Sequence, residues 1–167
     1  YLDCLQRCRD RFPDLRILSG VEAGEPHLFP DQFETLLKRT EIDRVLGSLH
    51  VLHRPDGFWA IDVLYRREDP AELMRDYLAE ILRMVETSSL FGILAHIDYP
   101  VRVWPRVGAP FEPRDFEEEY RAVLRALAAT GRALEVNTVL PLAAAVVRWW
   151  YEAGGAAGVF GRDAHRP

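Results

Sequence analysis

The sequence predicts an α/β fold in which parallel strands alternate with helices. Short continuous apolar segments alternate with amphipathic ones, and helix-start and helix-stop residues separate them. Ionisable residues also recur just after the apolar segments. Continuous apolar strands flanked by helices are typical of a parallel sheet that is covered on its faces. We therefore expect five successive β–α steps along the 167 residues.

The strands are predicted at residues 15–22, 43–52, 91–97, 132–138 and 157–162. The helices are predicted at residues 1–11, 30–39, 69–87, 112–129 and 140–153. Local signals support the helix ends: Pro13 ends the first helix, Asp69 caps the third, and Gly131 follows the fourth. In the third helix the apolar stripe consists of Leu73, Tyr77, Ile81 and Val85.

Length, charge and cysteine content limit the classes of protein to which this chain can belong. The length suits one domain over residues 1–167, and the formal net charge of −5 argues against a general nucleic-acid binder. A small anionic substrate remains compatible with that charge, because a bound cation can reverse the local field. No apolar run approaches the roughly 20 residues that cross a bilayer. The only cysteines, Cys4 and Cys8, are expected to be reduced thiols, which favours the cytoplasm.

Five ionisable residues lie at or just beyond the carboxyl ends of predicted strands and are candidate metal ligands: Glu22, His50, His96, Asp163 and His165. A mixture of imidazoles and carboxylates without paired cysteines favours zinc, manganese or iron. In an extended chain Asp163 and His165 point to the same face, so one can bind a metal while the other handles a proton.

The element pattern alone does not separate a barrel from an open sheet, but the ligand pattern favours the barrel. Every strand of a (β/α) barrel directs its carboxyl end to one mouth, and there the five candidates would meet. Five strands do not close a barrel, so we expect one or more strands before Tyr1.

Other polar residues have two open interpretations. Glu135 and Asn137 would share a face, either supporting ligands or substrate, or forming a polar plug under the site. Arg102 is either a phosphate clamp or a surface side chain. His27 and His53 are expected to be solvated loop histidines, and Glu25 has no firm role.

In chain order, five motifs resemble the polymerase and histidinol phosphatase (PHP) family, specifically its histidinol-phosphatase branch. They are Gly20-Val21-Glu22, Gly47-Ser48-Leu49-His50, His96-Ile97-Asp98, Glu135-Val136-Asn137-Thr138 and Gly161-Arg162-Asp163-Ala164-His165. The resemblance covers nearly the whole chain from Ser19 onward. Arg162 replaces the family's usual Ser, and Gly24-Glu25 replaces its common Asp-Tyr. The family's opening His-x-His motif is absent, which agrees with an N-terminally truncated fragment.

The resemblance implies a distorted (β/α)7, TIM-like barrel, here incomplete, with two or three divalent metal ions. It implies hydrolysis of a phosphate monoester, most directly L-histidinol phosphate, in histidine biosynthesis. The alternatives are another phosphoester, such as a phosphotyrosine protein or a nucleotide, and a non-catalytic degenerate barrel. The implied partner is a small phosphorylated substrate, without nucleic acid or membrane, and the oligomeric state is open.

The implied site residues fall into four groups: metal ligands Glu22, His50, His96, Asp163 and His165; catalytic Asp163 and His165; substrate-binding Arg102 and Asn137; supporting Glu135 and Asp98.

Overall fold

The structure is a computed structural model that describes residues 1–106 and 108–162. Its strands are β1 (Gly20–Gly24), β2 (Arg44–Ser48), β3 (Val51–Arg54), β4 (Gly57–Ala60), β5 (Ile93–Leu94), β6 (Ala133–Asn137) and β7 (Gly158–Gly161). Its α-helices are α1 (Leu2–Arg11), α2 (Pro30–Arg39), α3 (Ile61–Leu64), α4 (Pro70–Thr87), α5 (Glu117–Ala129) and α6 (Ala144–Glu152). Short 3₁₀ turns occupy Tyr99–Val103 and Pro113–Phe116.

Five strands form a parallel sheet in the order β1-β2-β5-β6-β7. Each strand pairs with the next sheet strand along the chain, so the order never reverses. An open doubly wound sheet reverses its order at a switch point, whereas a barrel winds in one direction. The α/β prediction is confirmed, and the winding is that of a barrel sector. Within the described part of the chain, β1 and β7 are the sheet edges and do not pair with each other.

The core lies between the sheet and its helices. Helix α4 faces it with Leu73, Met74, Tyr77, Leu78, Ile81, Met84 and Val85, which include the predicted stripe. Asp69 caps this helix as predicted, because its side chain accepts from the backbone N–H groups of Ala71 and Glu72 at 2.9 and 3.0 Å. Gly131, with φ of 69°, takes the left-handed conformation expected after α5.

The predicted strand over residues 43–52 is wrong in its second half. Strand β2 ends at Ser48. The next strand, β3, pairs with β4 in a separate two-stranded antiparallel hairpin. The turn consists of Pro55 and Asp56, and Gly57, the first residue of β4, has a φ of 127°. Proline followed by aspartate and glycine between apolar runs is a turn signal, and our sequence analysis missed it.

The predicted strand over residues 15–22 is also displaced. The sheet begins only at Gly20, and β1 continues past Glu22 to Gly24. The backbone N–H and the hydroxyl of Ser19 both donate to Asp43 Oδ2, at 2.8 and 2.9 Å, and only the carbonyl of Ser19 pairs with β2, at 3.0 Å from the N–H of Arg44. Glu22 is therefore the middle residue of β1 rather than its last.

In residues 1–106 and 108–162, no helix combines the length and apolar character needed to cross a membrane.

Gly47 in β2 is the point where the ring of Phe91 packs on the sheet. A Cβ atom on Gly47 would lie 2.5 Å from Phe91 Cγ, far inside van der Waals contact. The Arg132 guanidinium lies 4.3 Å from the centroid of the same ring and donates to the carbonyls of Val85 and Ser88. Burial lowers the pKa of Arg132, and these contacts offset its desolvation. The end of α4 is thereby tied to the residues that precede β5 and β6.

Replacing Gly47 by alanine should destabilise the protein by about 1–3 kcal/mol, because the added methyl group overpacks against Phe91. The free energy of unfolding in urea measures this loss. Gly92→Ala is the matched control, since a Cβ atom there meets nothing within 4 Å. Equal unfolding free energies for the two variants would contradict the packing argument.

Candidate metal centre

Three of the predicted metal ligands meet at the carboxyl side of the sheet. His50 lies two residues beyond the end of β2 and His96 two residues beyond the end of β5. Both rings reach the same oxygen of Glu22: Oε1 lies 3.2 Å from His50 Nε2 and 3.1 Å from His96 Nε2. Potential ligand atoms of all three residues lie within 4.8 Å of one another.

The cluster is anchored on one side and open on the other. The side chain of His96 is 1% exposed, whereas those of His50 and Glu22 are each 35% exposed. Hydrogen bonds with His50 and His96 hold the pKa of Glu22 well below its usual range, against the opposing effect of burial. Glu22 is therefore an anionic centre between two imidazoles.

This donor set fits a divalent metal ion. One carboxylate oxygen and two imidazole nitrogens converge, as zinc, manganese and iron sites require. His96 also keeps a buried ring nitrogen, Nδ1, that has no hydrogen-bond partner among the described residues. A buried imidazole with one unpartnered ring nitrogen costs folding free energy unless a further group binds that imidazole.

Tyr99, which the sequence analysis missed, joins the two histidines. Its ring centroid lies 4.9 Å from that of His50, in an edge-on arrangement, and 5.4 Å from that of His96. Tyr99 begins the 3₁₀ turn that follows His96. No local pattern marks it, because the contact with His50 comes from neighbouring strand ends rather than from sequence spacing.

Arg102 and Asp98 lie on and next to the same 3₁₀ turn. The Arg102 guanidinium lies 5.5 Å from the centroid of the Tyr99 ring, and its Nε and Nη2 atoms are buried. Asp98 is buried, and burial raises its pKa, while its own backbone N–H and the charge of Arg102 act in the opposite direction. Arg102 thus contacts Tyr99, whose ring also lies against His50 and His96.

Glu135 supports His96 from the next strand. Its carboxylate Oε2 accepts from the backbone N–H of His96 at 2.7 Å, and its side chain is buried. A Cβ atom on Gly161, in β7, would lie 1.6 Å from Glu135 Oε1. A side chain at position 161 would therefore displace this carboxylate from its present place.

Asn137 is buried at the end of β6. Its Oδ1 accepts from the backbone N–H groups of Val139 and Leu140, at 2.8 and 3.3 Å, which shapes the turn after the strand. Its Nδ2 atom is buried without a hydrogen-bond partner in residues 1–106 and 108–162.

Glu25 has a defined place that our sequence analysis did not assign. Its Oε1 accepts from the backbone N–H groups of His50 and Val51, at 2.6 and 3.2 Å. It is also the only non-glycine residue with positive φ, 49°, in the described part of the chain.

His27 lies in a loop as expected, but the expectation that it is solvated is wrong. Its side chain is fully buried, and its Nε2 lies 2.7 Å from Glu80 Oε1 on α4. Against the effect of burial, hydrogen bonds from Arg83 and His27 hold the pKa of Glu80 below its ordinary value. His53 is exposed as expected, but on strand β3 rather than in a loop. Neither residue belongs to the cluster.

The predicted ligands Asp163 and His165 lie outside the described residues. The cluster described above consists of the other three.

The PHP domain pattern matches residues 1–139 of the chain. The histidinol-phosphatase of Lactococcus lactis subsp. lactis strain IL1403 is 26% identical over 141 residues, which cover 84% of this chain and 52% of that protein. A probable histidinol-phosphatase of Clostridium acetobutylicum is 23% identical over 163 residues, covering 93% and 63%. The chain therefore spans between about half and two thirds of the length of these relatives.

Two solved structures share the fold. One is the L. lactis histidinol phosphate phosphatase in complex with zinc, L-histidinol and phosphate, with a TM-score of 0.84 and 24% identity, covering 99% of this chain and 65% of that one. The other is a putative histidinol phosphatase from Listeria monocytogenes, with a TM-score of 0.80 and 19% identity, covering 99% and 70%. The match over residues 1–139 and this fold confirm the resemblance seen in the motifs, and the chain belongs to the PHP domain family.

Proposed function

We propose that the full-length protein containing this chain is a metal-dependent phosphomonoester hydrolase that converts L-histidinol phosphate to L-histidinol and phosphate. The observation that carries the proposal is the convergence of Glu22, His50 and His96 on one side of a PHP-type sheet. The relatives support the substrate, because one is named a histidinol-phosphatase and the other a probable histidinol-phosphatase. The reaction belongs to histidine biosynthesis.

The proposed metal ligands are Glu22, His50, His96, Asp163 and His165, holding two or three zinc, manganese or iron ions. Zinc in the L. lactis structure supports a metal of this kind. Such ions would neutralise phosphate oxygens and lower the pKa of a water so that it attacks phosphorus at neutral pH. Within the chain, Asp163 or His165 is proposed to deliver a proton to the departing alkoxide.

Two further residues are proposed to bind the substrate. Arg102 lies beside the Tyr99 ring, which contacts both histidines of the cluster, and its planar guanidinium suits two phosphate oxygens at once. Asn137 uses its Oδ1 in the turn after β6, so Nδ2 is the donor it can offer to a ligand.

Glu135 and Asp98 are proposed to orient other site residues without binding the metal themselves. Glu135 fixes the backbone of His96 through its N–H group, which keeps the ring aimed at Glu22. Asp98 sits buried beside Arg102, where it can orient the guanidinium. Groups that orient ligands from behind change metal affinity strongly in other metalloproteins.

Two broader inferences accompany the activity. We propose that residues 1–167 form part of one PHP-type domain, which the fold match over 99% of the chain supports. We also propose that the protein works in the cytoplasm on a small phosphorylated substrate, in keeping with the free thiols of Cys4 and Cys8.

The full-length protein should release phosphate from L-histidinol phosphate, and a chelator should abolish this release until zinc or manganese is restored. His96→Ala should lose the activity by at least about 100-fold, because a buried ligand is removed. His53→Ala is the matched control, since His53 is exposed and outside the cluster. Full activity in chelator-treated protein would contradict the proposal.

A substrate panel separates the alternatives. A nucleoside monophosphate and a phosphotyrosine peptide, assayed beside L-histidinol phosphate, should be cleaved with much lower kcat/KM. Faster cleavage of either one would replace the proposed substrate while keeping the metal chemistry. No cleavage of any of them by metal-loaded protein would favour a non-catalytic barrel.

Gly161→Ala should weaken zinc binding by about 10–100-fold, because its methyl group displaces the Glu135 carboxylate that holds His96. Competition with a chromophoric chelator measures the affinity. Gly158→Ala in the same strand is the control, since its Cβ atom would make only an ordinary contact at 3.8 Å with the carbonyl of Leu134. Equal zinc affinity in the two variants would contradict the proposed role of Glu135.

A further inference from the structure

We propose that Glu25 is a positioning residue of the candidate metal centre, which holds the main chain at His50 so that the imidazole meets Glu22. This inference rests on the proposed metal site. It concerns a residue at which this chain departs from the common family pattern, since Gly24-Glu25 stands where that pattern has Asp-Tyr.

Glu25 binds the β2–β3 connection on both sides of Leu49. Its backbone N–H donates to the carbonyl of Ser48 at 2.8 Å. Its carboxylate Oε1 accepts from the N–H groups of His50 and Val51, at 2.6 and 3.2 Å. One residue therefore fixes the last carbonyl of β2 and the first two amides beyond Leu49.

Two successive N–H groups aimed at one oxygen form a concave anion-binding arrangement, and bonds to an ionised acceptor are stronger than neutral ones. The Glu25 side chain is only 12% exposed, so water competes weakly for these amides. The carbonyl of His50 is used elsewhere, since it accepts from the N–H of Ile61 at 3.3 Å. Glu25 thus completes the pairing of the backbone at His50.

The carboxylate acts on the backbone of His50 rather than on its ring. Oε1 lies 2.6 Å from the backbone nitrogen but 3.8 Å from Nδ1, which is beyond hydrogen-bond distance. Glu25 is also not a member of the ligand cluster, which consists of Glu22, His50 and His96 in the described residues. Its contribution is therefore orientation of the ring.

The conformation of Glu25 indicates that its contacts determine it. A left-handed backbone, here with φ of 49°, is unfavourable for a residue with a long side chain and persists where surrounding contacts impose it. The same loop is anchored to α4 by the buried contact of His27 with Glu80, at 2.7 Å. The loop is thus bound to α4 through His27 and to the backbone at His50 through Glu25.

The test compares Glu25→Gln, Glu25→Ala and Glu25→Gly in the full-length protein. Glutamine keeps an acceptor oxygen, and alanine removes it. Glycine removes it too but accepts the left-handed backbone without strain. Glu86→Ala is the control, because Glu86 is an exposed glutamate on α4. Zinc affinity is measured by chelator competition, and amide hydrogen exchange of His50 and Val51 is measured in metal-free protein.

Alanine and glycine should each weaken zinc binding by about 10–100-fold and lose amide protection at His50 and Val51. Glutamine should stay within about five-fold of the parent protein, since a neutral acceptor still forms the bonds. Glycine should lose affinity without a lower Tm than alanine, which separates positioning from stability. Parent-like affinity and protection in both Glu25→Ala and Glu25→Gly would overturn the proposal, as would equal losses with glutamine.

These readouts separate this inference from the proposed activity. If the parent protein binds zinc tightly but releases no phosphate from any ester, the proposed function fails while the Glu25 comparison still stands. If the parent hydrolyses L-histidinol phosphate and the Glu25 variants bind zinc as it does, only the role of Glu25 fails.

Discussion

Parallel pairing of successive strands is the constraint on which the site depends. Because the sheet order follows the chain order without reversal, the ends of β2 and β5 are neighbours on one side of the sheet. His50 and His96 each follow those ends by two residues, and the pairing of Gly47 with Leu94 places the two histidines within one residue of the same level. Glu22 lies within β1, which neighbours β2 on the side away from β5. Its Oε1 atom lies close to both histidine rings. Any shift of register between these strands would separate the three side chains.

A second regularity links the two histidines. Each has its backbone N–H bound by a shielded carboxylate from an adjacent part of the sheet, Glu25 for His50 and Glu135 for His96. Backbone N–H groups just beyond a strand end no longer pair with the neighbouring strand, so they need another hydrogen-bond acceptor. Supplying a carboxylate satisfies the amide and brings negative charge near a position where cations are proposed to bind. Gly161 leaves room for one of these carboxylates, which connects the last described strand to the centre.

The sequence was most informative where structure is decided locally. The third predicted helix, its Asp69 cap and its apolar stripe follow from spacing and capping alone, and the structure agrees. The contacts of Tyr99, Glu25 and His27 join residues that are far apart in the chain, so no pattern in one segment contains them. The hairpin could have been predicted locally, because the sequence contains the turn signal Pro55-Asp56-Gly57. The prediction instead followed the apolar run before it and gave one continuous strand.

The side chains of the cluster distinguish it from the concave surface at the other end of β1. One carboxylate and two imidazoles converge in the cluster, and this is a donor set that binds divalent metal ions. By contrast, the groove of about 570 Å³ near the start of β1 is lined mainly by apolar side chains, with Asp3 its one ionisable carboxylate. This groove lies at the opposite end of β1 from the converging donors, and phosphate ester hydrolysis requires the donors.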